Sequence, residues 1–297
     1  MSLDHTQAQW VLIVIAVLLF GLGSLVLFSL ALFNKGTDQF LDIRNLFRVQ
    51  FMIIALVGLP SFFGGHVLVA TLGLFWARGV WELNEILKPD DHASVINLYG
   101  LGCVTLVLFM GLSFSSLIWH PFLWIAAMFI LSFRHMNIRL IMGLFVLSTG
   151  VAALFLLGQE DGHFLLIGLA YILVESFDSF AYLIGRIWGG VKLFPKLSPG
   201  KTLEGYLGGL IGALGTAVAL NIFIYKMAWP FFMALCFVIL VFGFCGDLIV
   251  SAFKRACARK DFAPLSRLHG GILDIYDSLL FGAMALCLIY FIFGHAA

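Results

Sequence analysis

The chain has 297 residues, of which 62% are hydrophobic and 11% charged, with a formal net charge of +1 and a mean hydropathy of +1.07. A soluble domain carries about a quarter charged residues, so this composition excludes an ordinary soluble globule and points to a polytopic helical membrane protein. The balanced charge gives no reason to expect a nucleic-acid partner. Five cysteines (Cys103, Cys236, Cys245, Cys257, Cys287) form no CxxC pair, which argues against a disulfide framework or a zinc site.

The N-terminal stretch MSLDHTQAQW lacks a basic n-region, and the apolar run after it is too long for a signal peptide, so it reads as a retained first span. Ten apolar stretches fit membrane spans, near 10–33, 47–62, 64–82, 94–116, 118–132, 138–157, 163–184, 203–225, 229–252 and 279–295. Spans two and three are divided only by Pro60 and the pair Gly64–Gly65, and spans four and five only by a short turn before Pro121. No linker or internal repeat divides the chain. The expected fold is all-α, a single ten-span membrane domain over 1–297, with both termini outside.

The cations test this topology. With the N-terminus outside, 16 of the 17 Lys and Arg residues fall in or beside the inside loops 34–46, 83–93, 133–137, 185–202 and 253–278, and only Lys226 lies on the other face. Such a split is what the positive-inside rule requires.

Within the spans, Gly205, Gly208, Gly209, Gly212 and Gly215 form a small-residue stripe, which predicts a close helix–helix seam. Glu175 and Asp178 sit three residues apart on one face of the seventh span. Asp178 and Asp247 each lie about six residues, or ~9 Å, from the inner end of their spans. Ionisable groups at membrane depth are costly and mark function. Asp178, Asp247, and the pair Asp274 and Asp277 just before the last span are expected at one depth on one face. Mg²⁺ suits such a setting, because it takes one or two carboxylates together with substrate phosphates.

The loop before the eighth span ends in Ser198-Pro199-Gly200-Lys201-Thr202. A Walker A motif needs glycine where Pro195 stands, and no strand is expected before it, so a P-loop is rejected. A helix N-terminus after this turn can bind phosphate through free N–H groups and Lys201, or the turn can be a plain helix cap. The densest polar stretch runs from Gly246 to Asp277, with four aspartates (Asp247, Asp261, Asp274, Asp277) and five cations (Lys254, Arg255, Arg259, Lys260, Arg267). Within it His269-Gly270-Gly271 reads as a tight turn that lets backbone approach a ligand. His269 is open to three roles: phosphate donor, proton carrier or turn stabiliser.

These residues resemble a known family. The order S-x-F-K-R, K-D and H-G-G-I-x-D-x-x-D, carried by Ser251, Lys254, Arg255, Lys260, Asp261, His269, Gly270, Gly271, Asp274 and Asp277, is similar to the signature of the CDP-diacylglycerol synthases, or phosphatidate cytidylyltransferases. Upstream, Asp178-Ser179 with Ala181-Tyr182, Ser198 to Gly205, and Gly246 to Leu248 carry the same likeness, which is dense from about 170 to 285. The resemblance implies a reaction of CTP with phosphatidic acid that gives CDP-diacylglycerol and pyrophosphate. It implies Mg²⁺, with a second metal ion of unknown identity, and a homodimer in the cytoplasmic (inner) membrane whose active site faces the cytoplasm among membrane lipids. Residues 161–297 would then hold the catalytic core and 1–160 a helical scaffold. By the same match Asp247, Asp274 and Asp178 would be metal ligands or their supports, with Asp261 and Asp277 as helpers. Lys254 and His269 would join Asp247, Asp274 and Asp277 as catalytic groups. Ser198, Lys201, Thr202, Arg255, Lys260, Gly270 and Gly271 would bind substrate.

The chain departs from the family pattern at three places. Ile275 stands where an Arg is usual, Tyr276 where an aliphatic residue is usual, and Val250 where an acidic residue is common. The missing guanidinium could have bridged phosphates. A different lipid substrate, a lower rate, or substitution by Arg267 would each account for it. Two other classes compete: a CTP-dependent polyprenol or dolichol kinase, and an ion-coupled transporter relaying through Glu175, Asp178 and Asp247. The transporter should show two related halves with broken spans, which the chain lacks.

Overall fold

The computed structural model describes residues 10, 13–14, 56–87, 138–264 and 270–293. The elements are α1 (Gly65–Leu87), α2 (Ile138–Leu157), α3 (His163–Trp188), β1 (Lys192–Phe194), β2 (Ser198–Thr202), α4 (Leu203–Leu220), α5 (Trp229–Ala256) and α6 (Ile272–Phe293). Among the described residues four stretches are long and apolar enough to cross a membrane: His163–Trp188, Leu203–Tyr225, Trp229–Ala256 and Ile272–Tyr290. This is an α-helical membrane protein. The expected spans at 94–116 and 118–132, and nearly all of 10–33, lie outside the described residues.

A helical stretch over 56–63 is broken from α1 at Gly64, which has φ +61°. The glycine rather than Pro60 makes this break, since Pro60 is still helical and its carbonyl accepts the Gly64 N–H at 2.8 Å. The chain clusters into two compact units. The first joins Met1–Val67 with Asp161–Leu240, and the second joins Leu68–Glu160 with Val241–Ala297.

In the first unit, α3 and α4 are pressed together along the glycine stripe. A Cβ added at Gly205 would lie 2.7 Å from the Ala181 carbonyl, and one at Gly209 2.8 Å from that of Phe177. Side chains at Gly208 and Gly212 would run into Ile184 and Phe180. In lipid, apolar burial gives helices little reason to associate, so this backbone approach is what holds the seam. Gly215 faces open space and is not part of it. The chain leaves α4 through a π-helical turn, Asn221–Tyr225, and Lys226 takes a left-handed conformation at φ 51°. The buried Asn221 fastens this turn: its Oδ1 accepts the Met227 N–H at 2.9 Å and its Nδ2 donates to the Met227 carbonyl at 3.1 Å.

Between α3 and α4 the structure departs from the expected loop. Lys192–Phe194 and Ser198–Thr202 pair as a small antiparallel hairpin, with Lys192 opposite Thr202 and Phe194 opposite Ser198. A strand therefore does precede the helix. The absent glycine at position 195 still rules out a P-loop, and Ser198–Thr202 is itself the second strand.

In the second unit, small residues again set helix spacing. A Cβ at Gly79 would come within 2.8 Å of Leu147, one at Gly143 within 2.6 Å of Leu83, and one at Gly150 within 2.7 Å of Leu280. Leu83, Leu144, Leu147, Leu157 and Leu280 form the core. Trp76 Nε1 donates to Ser148 Oγ at 3.2 Å, which satisfies the indole inside this apolar packing. Three boundaries in this unit differ from the sequence expectation. Helix α1 runs on to Leu87 rather than ending at 82. Helix α5 continues to Ala256, which puts Lys254 and Arg255 in its last turn, and α6 begins at Ile272, which puts Asp274 in its first turn. Hydropathy alone ended these spans at their charges. The helix dipole favours those same charges, cations at a C-terminus and carboxylates at an N-terminus.

Candidate active site

Asp247, Ser251 and Lys254 are spaced by four and three residues, and so share one face of α5. Ser251 Oγ donates to Asp247 Oδ1 at 3.2 Å. One turn on, the buried Lys254 Nζ donates to Asp274 Oδ1 at 2.5 Å. The pair joins the cationic end of α5 to the acidic start of α6. It also sits against an aromatic wall, with Lys254 Nζ 5.8 Å from the Phe262 ring and Phe253 stacked on Phe262 at 6.1 Å. Gly246, beside Asp247, lets α5 approach α6, because any side chain there would strike the Phe281 ring.

The second oxygen of Asp274 organises the turn before α6. It accepts the Gly271 N–H and the Phe262 N–H, each at 2.8 Å. An acid at the third helical position that reaches back to the cap amide is the acidic half of a capping box. The next two amides are met from α1: Glu82 accepts the Ile272 N–H at 2.8 Å and the Leu273 N–H at 3.0 Å. Glu82 is 0% exposed and is also bonded by Arg78 Nε at 2.9 Å. Three of the N–H groups a helix normally leaves unsatisfied, those of Gly271, Ile272 and Leu273, are thus taken by the protein's own carboxylates. Gly270 and Gly271 are glycines for this reason: a Cβ at the first would overlap the Asp274 carboxylate, and one at the second the Glu82 carboxylate. The sequence reading expected backbone to approach a ligand at this turn. In this structure the approaching groups are carboxylates of the chain itself.

Asp277 is buried in the second turn of α6, where its Oδ1 accepts the Ser278 N–H at 2.7 Å. Lys260 and Asp261 are exposed, and Arg255 Nη1 donates to the Arg259 carbonyl at 2.9 Å. His269 and Arg267 lie outside the described residues.

The other sequence candidates belong to the first unit. Asp178 is exposed on α3 and Glu175 half-buried. Thr202 is the N-cap of α4: it is buried and its Oγ1 accepts the Gly205 N–H at 3.1 Å. Ser198 and Lys201 are half-buried on β2. Glu204 reaches back from α4 to the Gly190 N–H at 3.1 Å and the Val191 N–H at 3.5 Å, tying the end of α3 to the hairpin.

Arg78 and Glu82 do not stand out in the sequence, where Arg78 figures only in the topology count. A signal is present all the same. They are an i, i+4 ion pair in a mostly apolar helix, and an ionisable residue buried in such a helix is a functional candidate.

Among the described residues no three His, Cys, Asp or Glu side chains gather as a ligand set. Mg²⁺ does not need one, since one or two carboxylates and substrate phosphates suffice. Asp247 and Asp274 are hard oxygen donors of the right type, within one unit. Asp274 Oδ1 now faces Lys254, so a cation at that oxygen would replace an ammonium with a metal.

Comparison with known proteins gives the family. The model of the cytidylyltransferase family matches residues 44–293, further back than the motifs themselves and across α1. A phosphatidate cytidylyltransferase of Staphylococcus saprophyticus is 33% identical over 197 residues, covering 66% of this chain and 71% of the relative. That of Staphylococcus haemolyticus is 28% identical over 271 residues, 91% of each chain. That of Staphylococcus aureus is 30% identical over 232 residues, 77% of this chain and 84% of the relative. The chain is an enzyme of nucleotidyl transfer and belongs to the cytidylyltransferase family.

Proposed function

We propose that this protein joins CTP and phosphatidic acid into CDP-diacylglycerol and pyrophosphate. One observation carries the reading: within the region matched to the family, Lys254 at the end of α5 and Asp274 at the start of α6 meet at 2.5 Å. On this reading a cation that would bind phosphate stands beside a carboxylate that would hold the metal. A lipid phosphate oxygen attacks the α-phosphorus of CTP, a P–O bond forms, and the bond to the leaving pyrophosphate breaks. Such a transfer calls for positioning and charge neutralisation more than covalent catalysis.

Asp247 and Asp274 would hold Mg²⁺, with Asp178, Asp261 and Asp277 in support; a second metal ion is unidentified. When bound, the metal neutralises phosphate charge. Lys254, Arg255, Lys260, Ser198 and Lys201 would hold the phosphates. Thr202 would keep the Ser198–Lys201 strand in place through its cap, Gly270 and Gly271 would shape the turn, and His269 would complete the set. The distribution of 16 of 17 cations supports ten spans with both termini outside and a site facing the cytoplasm in the inner membrane. A homodimer is part of the same reading. Two of the departures from the family pattern are packing changes. Tyr276 is buried edge-on to Phe75 at 5.4 Å, and Val250 is buried as well.

The test is a product assay on purified protein with Mg²⁺, phosphatidic acid and CTP labelled separately at the α- and γ-phosphates. The α-label should enter the lipid as pyrophosphate is released, and Asp274→Asn should abolish this. With a lipid alcohol supplied in a parallel reaction, entry of the γ-label into it would replace the reading with a lipid kinase. Full activity of Asp274→Asn would remove the metal role of that residue.

A further inference from the structure

We propose that Glu82, together with Arg78, is a positioning residue for the reaction, acting from α1 on the Asp274–Lys254 pair; the kinetic part of this rests on the function proposed above. Glu82 is fully buried in an apolar helix, where a carboxylate is costly unless every oxygen is engaged. Its partners are Arg78 and the first two amides of α6, Ile272 and Leu273. The next residue is Asp274, so the two hydrogen bonds set where that carboxylate stands. Asp274 then divides its oxygens between Lys254 on one side and Gly271 and Phe262 on the other.

Arg78 extends the grip to the backbone after α5. Its Nη2 donates to the Ala263 carbonyl at 3.0 Å and lies 3.4 Å from the Pro264 carbonyl. One ion pair on α1 therefore bonds both Ala263–Pro264 and Ile272–Leu273, which lie before and after Arg267 and His269 in the sequence. A capping role alone would need only Glu82 and α6. Fastening the backbone at 263–264 as well as at 272–273, next to Asp274, is what a reaction dependent on positioning requires.

The experiment compares Glu82→Gln, Glu82→Asp and Leu147→Ala in the full-length protein, reading kcat, the KM for CTP, Tm and amide hydrogen exchange. Leu147 is a buried core residue of the same unit, so its variant reports what lost stability alone does to turnover. Glu82→Gln should lower kcat by about tenfold to a hundredfold while the KM for CTP stays within about threefold, and Glu82→Asp should recover part of the loss. Exchange in Glu82→Gln should quicken at Phe262 and Gly271, which do not bond to Glu82, as well as at Ile272 and Leu273. Either a kcat loss no larger than that of Leu147→Ala at equal Tm, or an exchange change confined to Ile272 and Leu273, overturns the proposal. If Glu82→Gln does not fold, Arg78→Met breaks the same clamp and is read by the same criteria. Wild-type protein that forms no CDP-diacylglycerol fails the reaction proposed above, while the exchange data still decide for or against Glu82.

Discussion

Two Gly–Gly junctions, one in each unit, use the same device in different surroundings. At Gly189–Gly190 the carboxylate of Glu204 takes the Gly190 and Val191 amides. At Gly270–Gly271 the carboxylates of Asp274 and Glu82 take the amides of Gly271, Ile272 and Leu273. In both, a side chain on the glycine would occupy the place of a carboxylate. The difference lies in what surrounds the acid. Glu204 is partly open to solvent, whereas Glu82 is sealed and paired with Arg78, and Asp274 is paired with Lys254. A buried carboxylate without its partners is strongly unfavourable, so the second junction has essentially one arrangement, while the first can yield. The proposed chemistry sits at the junction that cannot yield.

Alanine at one glycine of each junction should break the comparison open, and with the largest effect. In Gly271→Ala the new methyl meets a carboxylate held by three donors and, at 2.7 Å, the Phe262 Cβ. Overpacking of this kind costs about 1–3 kcal/mol, and at this position it also displaces the first turn of α6. A clear fall in Tm and loss of turnover are expected. In Gly190→Ala the methyl meets the Glu204 carboxylate at 2.5 Å, but that is the end of a flexible, half-exposed side chain which can swing away. Tm should hardly move. Equal falls in the two variants would show that burial is not what separates the junctions.

A smaller effect sharpens the first junction. Thr202 is buried, caps α4 and lies close to Gly185, where a Cβ would be 3.0 Å from its Oγ1. Loss of a threonine cap typically costs about 1 kcal/mol. Thr202→Ala should lower Tm by that equivalent and Thr202→Ser should restore it, with little change in the KM for CTP. A KM that rises sharply in Thr202→Ala but not in Thr202→Ser would instead show the hydroxyl binding substrate directly.

Much of this was legible in sequence because lipid makes the code severe. The apolar runs at 138–157, 163–184, 203–225 and 229–252 coincide with helices to within a few residues at their ends. The stripe from Gly205 to Gly215 predicted a close helix–helix seam without naming the partner; Gly205 to Gly212 make it against α3, and Gly215 does not take part. What was not legible came from pairing at a distance. Glu82 and Leu273 are separated by 191 positions, and nothing local to either announces the other. The start of α6 was misplaced for a related reason. Asp274 and Asp277 read as loop by hydropathy, yet a helix N-terminus is where carboxylates belong. The hairpin at Lys192–Thr202 was missed because Pro195, Pro199 and Gly200 read as loop residues, and the two strands are only three and five residues long.

The smallest expected effect lies at the entrance to the second junction. Helix α5 ends in a Schellman arrangement: the Arg259 N–H reaches the Lys254 carbonyl at 2.9 Å, and the Ala258 N–H reaches that of Arg255 at 2.9 Å. The left-handed residue this motif requires is usually glycine, but in this chain it is Ala258, at φ 54°. A Cβ in that conformation costs about 1–2 kcal/mol, and glycine gives back about half of the gain through its freer unfolded chain. Ala258→Gly should therefore stabilise the protein by about 0.5 kcal/mol, read as a small rise in Tm. Turnover should stay unchanged, because Lys254 is fixed by Asp274 and not by the turn that follows it. A rise in Tm accompanied by loss of turnover would show the reverse: that the strained turn, rather than the clamp on the far side of the loop, sets where Lys254 stands.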